Sequence, residues 1–155
     1  MKTKTIIITI ILSFFLHPYD TTGGTAADYG DKRLLIIKTA EKYLGARYNY
    51  GGMTTNGFDC SGFVQFVFRE NGITLPRSTV DQFERGKKIE LSNAKPGDLV
   101  FFNIYGARIS HVGIFAGKTV FIHAPTWGKR VSYADMNLPY WKRTFVGAVT
   151  YLDPD

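Results

Sequence analysis

At 155 residues the chain points to one domain with room for a real core, and 45% hydrophobic and 21% charged residues exclude a disordered chain or a coiled coil. The net charge of +6 is scattered over Lys32, Arg33, Lys87, Lys88, Lys129, Arg130, Lys142 and Arg143. That pattern carries no nucleic-acid motif. It suits solvated surface charge, or a soluble protein that approaches an anionic polymer.

The first 27 residues read as a secretory leader. Lys2 and Lys4 precede an apolar run from Ile6 to Leu16 broken only by Thr9 and Ser13. As a helix it reaches roughly 16 Å at ~1.5 Å per residue, about half a bilayer core of ~30 Å. A signal sequence is therefore expected rather than a membrane anchor. His17, Pro18, Gly23 and Gly24 break the run, and cleavage is expected after Ala27 or earlier, near Gly24. No cysteine follows the run for lipid attachment. Residues 28–155 are then the mature domain.

Helical spacing of Leu34, Leu35, Ile37, Ala40, Tyr43 and Leu44 predicts a first helix over 31–44, stopped by Gly45. A Gly-rich loop over 46–57 leads through Phe58-Asp59 into a second, largely buried helix from Cys60 to Asn71. Ser78 is placed to cap a short helix over 80–85. After the Pro96-Gly97-Asp98 turn the pattern changes to short strands, over 99–104, 110–116, 119–124, 130–132 and 144–152. Helices first and an antiparallel sheet second imply an α+β fold with the helices on one side of the sheet.

Cys60 is the only cysteine, so an intrachain disulfide is impossible, and an exported free thiol calls for a use. At the first turn of a helix, unpaired N–H groups and the macrodipole favour a thiolate and offer donors to an oxyanion. A thiol nucleophile needs a base, and the base an orienter. His17 falls in the leader, which leaves His111 and His123. They lie 12 residues apart, a spacing that suits neighbouring antiparallel strands joined by a turn at Gly117-Lys118. His111 is assigned as base and His123 as orienter, although the pattern alone does not fix which is which. Zinc held by one Cys and two His is the competing chemistry, and no short ligand pair supports it.

At these residues the chain resembles the NlpC-type family of bacterial cell-wall cysteine peptidases. The likeness runs from about Gly45 to Tyr151. It rests on Arg47-Tyr48-Asn49-Tyr50-Gly51-Gly52, Asp59-Cys60-Ser61-Gly62-Phe63-Val64-Gln65, Leu75-Pro76-Arg77-Ser78-Thr79, Pro96-Gly97-Asp98-Leu99-Val100-Phe101-Phe102, Ser110-His111-Val112-Gly113-Ile114 and Phe121-Ile122-His123-Ala124, in that order. The Pro139-Tyr140-Trp141-Lys142-Arg143 segment adds a likeness to the small single-domain murein endopeptidases of Gram-negative bacteria.

The resemblance implies a minimal papain-like fold and a Cys60–His111–His123 triad without a cofactor or metal. It places the Tyr48 hydroxyl beside the nucleophile, where it can help bind an oxyanion. It maps Asp59 and Ser61 to positions that hold the stem peptide in some members. Arg77 is a candidate for a substrate carboxylate, with a structural ion pair as the alternative. Asp59 has the alternative of capping its helix, and Asp98 that of a turn residue. The implied partner is the peptidoglycan stem peptide, met outside the cytoplasm by a monomer without a membrane anchor after processing. Rival readings are a wall-binding module with a vestigial site and a secreted antibacterial amidase toxin. A lecithin–retinol acyltransferase-like enzyme is set aside, because there the histidine precedes the cysteine.

Overall fold

The computed structural model describes residues 26–106, 108–126 and 129–152. Most of the expected leader, with its apolar run, lies outside the described residues. Helix α1 (Ala26–Lys42) begins five residues earlier than the periodicity indicated. A hairpin of β1 (Met53–Thr54) and β2 (Gly57–Phe58) follows. Then come α2 (Cys60–Glu70), α3 (Thr79–Arg85), β3 (Lys87–Ile89), a 3₁₀ turn at Leu91–Asn93, and β4 (Leu99–Phe102). The chain continues through β5 (His111–Gly117), β6 (Val120–His123), β7 (Ser132–Asp135), α4 (Pro139–Thr144) and β8 (Phe145–Thr150). Six strands form one antiparallel sheet in the order β3-β8-β4-β5-β6-β7.

Pleating sends alternate residues to opposite faces, and here both faces are covered. Leu99, Phe101, Val112, Ile114, Ile122 and Val149 join Phe63, Val64, Val67 and Phe68 of α2 and Ile36 and Ala40 of α1 in one core. Val100, Phe102, Phe115, Phe121 and Ala148 point the other way into a smaller cluster closed by Trp141 of α4 and Phe145. The expectation of helices on one side is thus corrected. α4 packs on the face opposite α1 and α2, which is why the strand runs read as continuous rather than alternating apolar stretches.

Three other departures have local causes. The loop over 46–57 contains β1 and runs into β2, each too short to show a period. β3 reads Lys-Lys-Ile because it is an edge strand with solvent on one side. The strand expected over 130–132 starts later, since Arg130 forms a bridge with Arg47 and Val131 exchanges hydrogen bonds with Gly45 and Ala46.

Asp98 does more than turn the chain. Its carboxylate accepts from Lys95 N–H at 2.7 Å and from Arg33 Nη1 at 2.8 Å, a buried ion pair that ties α1 to the start of β4. Arg33 also donates to Pro96 O and Thr150 Oγ1, so the guanidinium is held by backbone and side chain as well as by charge.

Candidate active site

The helix carrying Cys60 is built from its first turn outward. Asp59 is the N-cap, with extended backbone and Oδ1 accepting from Gly62 N–H at 2.7 Å. The Gly-rich loop packs directly on that turn: Asp59 N–H donates to Gly52 O at 3.0 Å. A Cβ at Gly62 would sit 2.0 Å from Gly52 O, so only glycine lets loop and helix approach this closely. Cys60 is thereby fixed at the first position of α2, half-buried against the helix-side core.

The electrostatics of the thiol differ from the sequence expectation. Burial raises the Cys60 thiol above its ordinary value, and the nearby Asp59 charge adds to this. The Thr79 hydroxyl, 3.8 Å from Sγ, and backbone contacts from Val112 and Ser61 pull the other way without prevailing. The resting group is a thiol, which puts the weight of activation on a neighbouring base.

Both histidines are buried at the same end of the sheet, on the face that carries Trp141. The Ile114↔Ile122 register, continued by one residue, sets His123 opposite Gly113, so the two imidazoles meet diagonally. His111 Nε2 lies 2.8 Å from His123 Nδ1, with the rings at 88°. Gly113, on the same strand as His111, has no room for a side chain, since a Cβ there would lie 2.4 Å from Phe121 Cδ2. Trp141 lies parallel to His111 (5.6 Å, 27°) and edge-on to His123 (5.2 Å, 87°).

Burial, and then the neighbouring His123, lowers His111 well below the usual imidazole value. Burial, and then the charge of Lys129, lowers His123 to about 4. Both rings are therefore neutral near pH 7. One nitrogen of His111 is engaged by His123, which leaves Nδ1 to exchange a proton with a thiol or an amine. The two facing nitrogens bond to each other and do not converge with Cys60 on a cation. Among the described residues no group of three or more His, Cys, Asp or Glu is placed to hold a metal.

A cleft of about 450 Å³ brings together Tyr48, Asp59, Cys60, Ser61, Arg77, Thr79 and His111. Tyr48 is half-buried, and its backbone bridges Phe58 and donates to Lys129 O at 3.1 Å. Burial and proximity to Cys60 raise its phenol, so it stays protonated and can donate a hydrogen bond. Asp59, Ser61 and Arg77 form one network. Arg77 donates to both oxygens of Asp59 and to Ser61 Oγ at 2.8 Å, while Ser61 donates to Asp59 Oδ1 at 3.3 Å. The open alternatives for Asp59 and Arg77 are thus both realised structurally: one is a helix cap and the two are an ion pair. They also line the cleft.

Two supports escaped the sequence reading. Gln82, fully buried on α3, donates to Ser61 O and Pro76 O, locking the Arg77 loop to α2. Trp141 buttresses both histidines. Pro139 opens α4, but nothing local says that the residue two positions on reaches an imidazole.

The family model described as NlpC/P60 matches residues 45–150. The chain belongs to the NlpC/P60 family. It is 46% identical over 116 residues to the Escherichia coli murein DD-endopeptidase MepS/murein LD-carboxypeptidase, covering 74% of this chain and 61% of that protein. It is 41% identical over 138 residues to the Bacillus subtilis gamma-DL-glutamyl hydrolase, covering 87% of this chain and 33% of that one. The chain therefore spans about three fifths and one third of these relatives. The NlpC/P60 domain of the peptidoglycan hydrolase SagA superposes with a TM-score of 0.67 at 36% identity, over 76% of this chain and 97% of that domain. The chain adopts the α+β, papain-like architecture of the family, and in it Cys60 stands at a helix N-terminus and the two histidines on the sheet.

Proposed function

We propose that this chain is a cysteine endopeptidase that hydrolyses an amide bond in the stem or cross-linking peptides of bacterial peptidoglycan. The observation that carries the reading is the meeting, at one cleft, of a thiol at a helix N-terminus with His111, itself hydrogen-bonded to the buried His123, in a family whose relatives are named for murein and glutamyl-bond hydrolysis.

In this reading His111 takes the proton of Cys60 as sulfur attacks the carbonyl carbon. The carbonyl oxygen gains charge and is met by the Cys60 backbone N–H and the Tyr48 hydroxyl. The intermediate collapses as His111 returns the proton to the departing amine, leaving a thioester on Cys60. Water, deprotonated by His111, hydrolyses that thioester and restores the thiol. His123 holds the His111 ring and accepts the Nε2–H hydrogen bond throughout. Neutral starting partners make the proton transfer part of the attack rather than a step completed beforehand.

The substrate is met in the cell-wall space, to which the expected leader would deliver the chain. No described helix is long and apolar enough to cross a membrane. On this reading the processed chain works as an untethered monomer. A wall-binding module with a vestigial site is the weaker reading, because it gives no reason for the thiol and both buried imidazoles to persist together.

Digestion of purified muropeptides by the protein, with Cys60→Ser alongside and products read by mass spectrometry, tests the proposal. New fragments from the wild type alone are expected, and their masses name the bond. Identical product sets from the two proteins overturn the reading.

A further inference from the structure

A second cleft, of about 270 Å³, opens on the far side of His111 and shares Ile104, His111 and Thr126 with the first. Its remaining wall includes His123, Lys129, Ser132, Tyr140 and Trp141. We propose that this cleft receives the amine-side fragment of the cut peptide, and that Lys129 pairs with a carboxylate on it. The inference rests on the peptidase reading above and adds the direction of the bound chain and the chemistry of its leaving side.

Direction follows from the reaction. The scissile carbonyl has to lie against Cys60 in the first cleft, and the amine has to leave against the group that protonates it, His111. A peptide that passes Cys60 and then His111 runs into the second cleft. The reverse orientation would carry the leaving amine away from His111 and towards the Asp59–Arg77 ion pair.

Chemistry follows from the charges. In the first cleft Asp59 and Arg77 already neutralise each other. Among the described residues no carboxylate lines the second cleft, whereas Lys129 does, together with the hydroxyls of Thr126, Ser132 and Tyr140. The Lys129 charge reaches the centre of the site, since it helps keep His123 unprotonated. Its backbone is fixed too: Lys129 N–H donates to Thr126 O at 3.2 Å and Lys129 O accepts from Tyr48 N–H. A cation held on a hydroxyl-lined wall without an acid of its own suits an anionic ligand group, and a peptide offers a carboxylate there.

The test uses two synthetic substrates with the same acyl side, one with a free carboxylate on the leaving residue and one with a carboxamide. The ratio of their kcat/KM values is measured for the wild type, Lys129→Ala, Lys129→Glu and Lys38→Ala, the last an exposed lysine of α1 that lines neither cleft. The wild type and Lys38→Ala should prefer the carboxylate by roughly fivefold, the scale of a solvent-accessible ion pair. Lys129→Ala should bring the ratio near one, and Lys129→Glu should invert it. A wild type that cuts both substrates with a ratio unchanged in both Lys129 variants overturns this inference and leaves the peptidase reading standing. A wild type that cuts neither substrate overturns both.

Discussion

The two faces of the sheet are packed by different chemistry. Against α1 and α2 the sheet buries aliphatic and phenyl side chains from several distant segments, braced by the buried Arg33–Asp98 pair. Against α4 it buries a smaller cluster in which Phe102, Phe121 and Trp141 surround two imidazoles. The first face fixes where the Cys60 helix begins. The second fixes how His111 and His123 point. The difference teaches that the proposed nucleophile and the proposed base are supported by separate cores meeting at one end of the sheet, so stability and catalysis should come apart under mutation.

The largest separation is expected at the base. His111→Gln should lower turnover by about 10²–10⁴-fold, the usual share of general acid–base catalysis, while thermal stability falls less than in a helix-side truncation. Steady-state rates and melting curves on the same samples check this.

On the helix side the weight reverses. Phe63→Ala should cost about 3–5 kcal/mol of stability, as for other fully buried phenylalanines. Asp98→Ala should cost about 3–5 kcal/mol by leaving Arg33 buried without its counter-charge. Denaturant unfolding measures both, and a loss under about 1 kcal/mol in either would break the division of labour.

Trp141 sharpens the comparison from the other face. Trp141→Leu should reduce kcat about tenfold to a hundredfold through a loosened His111 and shift the pH–rate profile as water reaches the pair. Trp141→Phe, which keeps a ring against the imidazole, should recover part of both. Equal losses in the two variants would mean the indole fills space and no more.

The most gradual effect is the response of the histidine pair to acid. An unfolded imidazole titrates near ~6.5, whereas folding lowers His123 to about 4. Between these values the unfolded chain binds more protons, so stability present above pH ~6.5 drains away as the pH falls towards about 4. His111, also lowered, acts in the same direction. His123→Gln should flatten this slope in melting curves taken across that range.

The three residues of the proposed trio could be singled out because each stood in a telling local context. Cys60 followed a Gly-rich loop at a helix start, and the two histidines sat on strands at a turn-joined spacing. The Ser78 cap was legible for the same reason, its side chain accepting from Asp81 N–H as an N-cap should. What was hidden depends on distant contacts. The ion pair of Arg77 could be named only as one of two alternatives, and without its partner Asp59. The second packed face was written in unbroken runs such as Leu99–Phe102, yet its cover, α4, is six residues long and shows no period. The raised Cys60 thiol was the least accessible, because a helix N-terminus argues for thiolate and only tertiary burial reverses that pull.

The most direct test of the central claim is to catch the covalent intermediate. The protein is mixed with a muropeptide, quenched in acid within one turnover, and weighed intact by mass spectrometry. A thioester adduct with the mass of the acyl fragment, mapped to the peptide containing Cys60 and lost in Cys60→Ala, is the predicted result. Continued turnover in Cys60→Ala, with no adduct on Cys60 in the wild type, would contradict the account.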